Sequence, residues 1–226
     1  MKLLFLGTGA ADWITPTAMA ETSRRRCSSA LIDDTILIDP GPHVLEALKS
    51  FGKDKNQIKY IINTHMHSDH YNKDVVNEFL SLGATVVDVP TGKVKSVAGY
   101  KIRSFRGNHF TSKKTKHFII QKDASTLFYG LDGAWLLDKE VAAIKKYKPN
   151  LAVLDCTIGN KIGDYRIFEH NNIAMVKEIK SSLNSFVDRF IISHMARTLH
   201  ASHKELVNQM KEFNIDVAFD GLEVEI

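Results

Sequence analysis

Three histidines and an aspartate fall within six residues at His65-Met66-His67-Ser68-Asp69-His70. Imidazole suits ions such as zinc, manganese or iron, and a carboxylate adds a hard, charged donor. The apolar run Ile58-Lys59-Tyr60-Ile61-Ile62 directly before it reads as a β-strand. Side chains alternate along a strand, so His65 and His67 in extended chain share one face. A turn after them then brings Asp69 and His70 round to a second ion. The order and spacing therefore offer ligands to two adjacent metal ions. The bland alternative, an exposed polar loop with histidines clustered by chance, does not explain the strand that leads into it.

The elements that must hold these residues follow from apolar periodicity and chain punctuation. Strands are expected at 2–6, 27–33, 35–39 and 58–63, with helices at Pro42 to Phe51 and Tyr71 to Leu82, the latter stopped by Gly83. Residues 84–130 are β-rich, with strands at Val86 to Val89, Tyr100 to Arg106, His117 to Gln121 and Thr126 to Gly130. Helices follow at Leu136 to Tyr147 and Asn172 to Leu183, with strands at Leu151 to Asp155 and Phe190 to Ile192. Ser202-x-x-Glu205 is a capping box that opens a helix to about Phe213. Residues 216–219 and 222–225 are expected to close a hairpin around Asp220-Gly221. Mixed strands and helices in this order suit sheets with helices packed outside them.

The chain has 226 residues, a size that fits one domain spanning 1–226 with a well-buried core. A formal charge of +4 permits an anionic substrate without demanding nucleic acid. Arg24-Arg25-Arg26 is a local concentration of charge whose alternatives are a solvated loop and a substrate contact. Cys27 and Cys156 sit in apolar, strand-like surroundings, which favours buried free thiols and a reducing, cytoplasmic setting. No run approaches the roughly 20 apolar residues of a membrane helix. A homodimer is the base-rate expectation for assembly.

His-x-His-x-Asp-His after an apolar strand resembles the signature of the metallo-β-lactamase-fold hydrolases. The opening Leu3-Leu4-Phe5-Leu6-Gly7-Thr8-Gly9 is similar to the first strand and turn of that family's phosphodiesterase and RNA-processing branches, and Arg26-Cys27-Ser28-Ser29-Ala30 with Ile36-Leu37-Ile38-Asp39-Pro40-Gly41 to its next two strands. The resemblance implies an α/β fold of the four-layer αββα class, two mixed sheets face to face with helices outside. It also implies three later ligands: a histidine, an aspartate and a histidine. His109, in Gly107-Asn108-His109-Phe110, would join His65 and His67 at the first ion. His194, in Ile192-Ser193-His194-Met195, would join Asp69 and His70 at the second; His200 and His203 are its neighbouring rivals. Asp132, in Tyr129-Gly130-Leu131-Asp132, keeps the family's Tyr-x-x-Asp pattern and would bridge the ions. Asp155 is the rival bridge, or a residue that orients a ligand histidine.

Two divalent ions, zinc, manganese or iron, would activate a bridging hydroxide as nucleophile. Asp69 and Asp132 are then central to catalysis, and no side-chain nucleophile is required. Leu154-Asp155-Cys156-Thr157 followed by His170-Asn171-Asn172 is similar to the phosphoribosyl cyclic phosphodiesterases, in which a histidine at the place of His170 reaches the substrate phosphate. His170 is the expected proton donor or phosphate contact. That group's structural-zinc cysteine cluster is missing, since Cys27 stands alone, as is the inserted arm of tRNA-processing relatives. The expected substrate is a small or cyclic phosphodiester. A lactonase or thioesterase is the alternative, and an RNA nuclease or non-catalytic metal-binding module is disfavoured. A basic pocket points to the first; an apolar pocket poor in cations points to the second.

Overall fold

Two mixed β-sheets, each with its own helices, carry the residues singled out above. The computed structural model describes every residue except Ala20 and Thr22. The chain folds as two compact units, Met1–Asp88 with Ala218–Glu225, and Val89–Val217 with Ile226.

In the first unit the strands are β1 (Lys2–Gly7), β2 (Ser29–Ile32), β3 (Ile36–Ile38), β4 (Tyr60–Ile62) and β5 (Thr85–Val86). The C-terminal strand Glu223–Glu225 completes the sheet at the edge of β1. Pairing is antiparallel from that strand through β3 and parallel from β3 to β5. Leu3, Phe5, Ala30, Ile32 and Ile38 are fully buried, as are their alternating neighbours. Strands covered on both faces read as continuous apolar runs, as these do. Helix α1 (Pro16–Met19) is a single turn, and α2 (Val44–Ser50) and α3 (Lys73–Ser81) bury Val44, Ala47, Leu48, Val75 and Phe79 with the sheet's Leu4, Leu6, Leu31, Leu37 and Ile61. The Asn72 side chain accepts the Asp74 and Val75 amides at 3.0 and 3.1 Å, which starts α3. Gly83, at φ 86°, lets the chain turn away after it. Burying the α3 valines and phenylalanine contributes about 1.5–3 kcal/mol each.

In the second unit the strands are β6 (Val94–Val97), β7 (Tyr100–Arg106), β8 (Lys116–Lys122), β9 (Ser125–Gly130), β10 (Leu151–Asp155), β11 (Arg189–Ser193) and β12 (Ile215–Val217). They lie in the order β12-β11-β10-β9-β8-β7-β6, parallel from β12 to β9 and antiparallel beyond. Helices α4 (Asp138–Tyr147), α5 (Ile173–Leu183) and α6 (His203–Lys211) supply Ile144, Val176, Ile179, Leu206 and Met210 to a core with Phe128, Leu154 and Ile192. The Ser202 hydroxyl and Glu205 carboxylate cap α6 reciprocally.

Three expectations are corrected. The final hairpin does not form: β12 pairs in parallel with β11, whereas Glu223–Glu225, strand β13, pairs with β1 in the other sheet. Asp220-Gly221 looks like a hairpin turn locally, but long-range pairing partners decide. The strand at Val86 to Val89 is only Thr85–Val86, and the exposed edge strand β6 was not anticipated, because its Lys and Ser residues carry weak β signals. His65 and His67 do not lie on a strand; β4 ends at Ile62, and both occupy the loop beyond it. Among the described residues no helix is long and apolar enough to cross a membrane.

Candidate metal centre

The loop after β4 folds back on the turn after β3. Asp39, buried and at φ 57°, receives the Thr64 amide at 2.6 Å, the Asn63 side-chain amide at 2.8 Å and the Thr64 hydroxyl. Its second oxygen accepts His70 Nδ1–H at 2.8 Å. That fixes the tautomer and turns His70 Nε2 outward, 3.3 Å from Asp69. His65 Nδ1 lies 3.0 Å from the Thr64 hydroxyl, which orients that ring in the same way. The His65 ring stands 4.4 Å from His67 and 4.5 Å from His70, centre to centre. The motif's donors therefore converge without the strand alternation that predicted it. Gly41 is required here: a Cβ at that position would meet the Asp69 carbonyl oxygen at 2.2 Å. Ile36-Leu37-Ile38-Asp39-Pro40-Gly41 carried part of the resemblance, but the roles of Asp39 and Gly41 toward the histidine motif were not read from it.

In the second unit His109, Asp132, His170 and His194 come together from four separate loops. The Asp132 carboxylate faces a histidine on each side: one oxygen lies 2.8 Å from His194 Nε2, the other 3.8 Å from His109 Nε2. A carboxylate divided in this way fits a bridging ligand. His109 Nδ1–H donates to the Glu169 carbonyl at 3.2 Å, and His194 Nδ1 lies 2.7 Å from the Thr157 hydroxyl. His194 thus presents Nε2 to Asp132, while His109 Nε2 also lies 3.3 Å from the Thr111 hydroxyl. Asp132 and His194 both hold left-handed backbone, φ 57° and 63°.

Asp155 is committed elsewhere. One of its oxygens accepts the amides of Thr157 and Asn171 at 3.0 and 2.9 Å. The other accepts the Asp132 amide at 3.2 Å, the Thr157 hydroxyl at 3.0 Å and His170 Nδ1–H at 2.9 Å. This saturated, buried carboxylate orients its neighbours, the role weighed for it as the alternative to bridging. Burial alone would raise the Asp155 pKa, but His170 and His194 hold it below the usual range. Burial likewise opposes the charged form of His170, and Asp155 outweighs it, so the imidazolium pKa is raised.

A further group here carries no sequence motif. His117 is fully buried and donates from both nitrogens, to Glu140 Oε1 through Nδ1 and to the Leu131 carbonyl at 3.0 Å through Nε2. Burial opposes its charged form, but Glu140 and the backbone carbonyls outweigh burial, so its imidazolium pKa is raised. Glu140 uses its other oxygen to accept the Leu137 amide at 2.8 Å. A Cβ on Gly107 or Gly133 would stand 2.7 or 2.6 Å from the His117 ring. The ring is therefore seated against two loops, that of His109 and that of Asp132.

The other rivals are placed elsewhere. His200 Nε2 lies 2.7 Å from the Cys156 carbonyl, and His203 is exposed at the start of α6. Arg24 and Arg26 pair with Glu46, and Arg25 reaches Thr8 and the Ala218 carbonyl, so the arginine run braces the first unit. Arg103 lies over Tyr147. Cys27 and Cys156 are free and buried, with thiol pKa values pushed up by burial. Beside His109 opens a cleft of about 650 Å³, lined by Arg106, Lys113, Phe110, Trp135, Phe168 and residues at the start of α5.

Buried imidazoles of fixed tautomer beside carboxylates suit a divalent cation in each unit's donor chemistry. Residues 22–72 match the metallo-beta-lactamase superfamily. No curated protein matches the chain. Among solved structures, the metallo-beta-lactamase fold protein YhfI from Bacillus subtilis is 14% identical with a TM-score of 0.76, covering 100% of this chain and 99% of its own. Zn(2+)-bound PqqB from Methylobacterium extorquens is 13% identical with a TM-score of 0.74, covering 100% of both chains. The short form of human tRNase Z is 15% identical with a TM-score of 0.73, covering 100% and 99%. The likeness over the whole chain and the match across the histidine motif agree with the resemblance read from the sequence: this protein has the metallo-β-lactamase fold.

Proposed function

We propose that this protein is a metal-dependent hydrolase of small or cyclic phosphodiesters, with two divalent ions held by His65, His67, Asp69, His70, His109, Asp132 and His194. The observation that carries the substrate class is the pair of cations, Arg106 and Lys113, in the cleft that opens at His109. Two cations there favour an anionic substrate such as a phosphodiester over an uncharged lactone or thioester. The Arg24-Arg25-Arg26 run braces the first unit, whereas Arg106 lines the cleft with Lys113.

When bound, such ions supply Lewis acidity and lower the pKa of a coordinated water. The chain's own contribution is orientation and proton transfer. His70, His109 and His194 are held by Asp39, the Glu169 carbonyl and Thr157. His170 gives Nδ1–H to Asp155 and keeps Nε2 for the substrate. As the phosphorus–oxygen bond to the leaving group breaks, His170 Nε2 delivers a proton to the departing alkoxide. Asp155 favours the protonated ring, which suits His170 to that role. Among neighbours of this fold, one is a tRNase and another is Zn(2+)-bound, which is compatible with this reading.

Hydrolysis of bis(p-nitrophenyl) phosphate by zinc- or manganese-loaded protein tests it, with Asp132→Ala, a lactone and a thioester run in parallel. Diester turnover that is lost in Asp132→Ala is the expected result. Cleavage of the lactone or thioester without diester turnover would replace the phosphodiesterase by an acyl hydrolase.

A further inference from the structure

The cleft beside His109 has more than charge. Three aromatic side chains line it from three different segments: Phe110 after β7, Trp135 after β9 and Phe168 in the short helix before α5. Their residues are 75%, 46% and 71% exposed. Large rings left in water at one place mark a surface that binds something.

Trp135 is held there at some cost. Its backbone sits at φ 57°, a conformation a bulky residue rarely adopts. Three contacts impose it. The Trp135 amide donates to Asn171 Oδ1 at 2.7 Å, and the Ala134 amide donates to the Asn108 carbonyl at 2.9 Å. The Asn108 side-chain amide returns a bond to the Ala134 carbonyl at 2.7 Å. Asn171 in turn donates its own amide to Asp155, the carboxylate that orients His170. The loop that presents Trp135 is thus tied to the His109 loop on one side and to the Asp155 network on the other. Such strain persists where the surrounding structure imposes it, and it gathers at ligand sites.

A wall of rings, two cations and a ligand histidine in one cleft define a complementary occupant: a planar ring attached to a phosphate. Resting on the phosphodiesterase reading above, we infer that this cleft is a ring-stacking subsite that makes the protein selective for nucleotide phosphoesters over phosphoesters of plain sugars. Trp135, Phe168 and Phe110 take the base, and Arg106 and Lys113 take the charge. Base stacking on an aromatic side chain is tolerant of base identity, so purine and pyrimidine both fit.

Isothermal titration of the metal-loaded full chain with adenosine 5′-monophosphate, uridine 5′-monophosphate and ribose 5-phosphate tests this. Both nucleotides are expected to bind about tenfold more tightly than the sugar phosphate. Trp135→Ala should remove most of that difference and leave the ribose 5-phosphate affinity unchanged, while Trp135→Phe keeps it. Phe168→Ala, on a separate segment, gives an independent loss if Trp135→Ala does not fold. Equal affinities for nucleotide and sugar phosphate, or a difference that survives both alanine variants, would overturn the subsite. So would a Phe168→Ala variant that changes the mass of the protein in solution but not its nucleotide affinity, because the rings would then serve an interface. Bis(p-nitrophenyl) phosphate separates the two readings. Diester turnover without nucleotide preference sinks the subsite alone. Trp135-dependent nucleotide binding without diester turnover sinks the phosphodiesterase and leaves the subsite.

Discussion

The two donor sets of this molecule are built on opposite plans. In the first unit four donors lie within six consecutive residues and need one outside carboxylate, Asp39, to set them. In the second unit His109, Asp132, His170 and His194 are spread over 86 residues and arrive on separate loops. What unites the spread set is buried polar structure: Asp155 with Thr157 behind His170 and His194, and the His117–Glu140 pair between the His109 and Asp132 loops. A contiguous motif is positioned by chain connectivity, so few outside contacts suffice. A dispersed one must be positioned by hydrogen bonds whose loss leaves buried groups unsatisfied, which makes it costlier to disturb.

Removing Asp132, the proposed bridging carboxylate, gives the largest expected effect. Asp132→Ala should lower diester hydrolysis by about 10³-fold and reduce bound metal measured by atomic emission. Retained activity would return the bridging role to another acid.

Next come the two orienting carboxylates, which test the comparison directly. Asp155→Asn and Asp39→Asn should each cost about 10–100-fold in activity or metal affinity. Asp155→Asn should be the worse of the two, because Asp155 holds His170, Thr157, Asn171 and the Asp132 amide, whereas Asp39 holds only the His70 ring and the Asn63-Thr64 start of the same loop. If Asp39→Asn proves the more damaging in metal titrations, the dispersed set does not depend on its network as argued.

Stability offers a third comparison. Gly133→Ala drives a methyl group into the buried His117 ring, and Gly41→Ala drives one into the Asp69 carbonyl. Each should destabilise by about 1–3 kcal/mol in urea unfolding of metal-free protein. An unchanged midpoint for Gly133→Ala would mean that the ring can move and is not fixed between the loops.

The smallest effect is in pH. Burial opposes the charged form of His117, yet Glu140 and the Leu131 and Asp132 carbonyls raise its pKa above the unfolded value. A group raised on folding contributes stability that is fully present below its unfolded pKa of about 6.5 and is lost as pH rises through the folded value. Metal-free protein should therefore lose stability as pH rises above about 6.5, with His117→Gln flattening that part of the curve. A wild-type curve no steeper than that of the variant would remove the charged pair.

Much of the fold was legible because its signals are local. The apolar runs of β1, β3, β10 and β11, the Gly83 stop and the Ser202-x-x-Glu205 box each specify an element within a few residues. The closing strands were not legible, since Ile215–Val217 and Glu223–Glu225 read as a hairpin until each finds its partner in a different sheet. The histidine motif was legible as metal chemistry from residue types and spacing, although the strand geometry invoked for it was wrong. His109, Asp132 and His194 needed the family resemblance. His117 and Glu140 carry no signature at all, and the orienting roles of Asp39 and Thr157 were not read from the motifs that contain them, because a buried hydrogen bond between distant residues leaves no periodic trace in either.

The sequence by itself determined the donor types, the order in which they occur, and most of the elements between them, because periodicity and caps act over one or two turns of chain. The tertiary structure decided which aspartate faces two histidines, which arginines are free of bracing pairs to line a cleft, and which ring is wedged between the ligand loops. Those outcomes depend on burial and on pairing across tens of residues. A charge is then either satisfied by a neighbour or left for a ligand, and only the folded arrangement distinguishes the two.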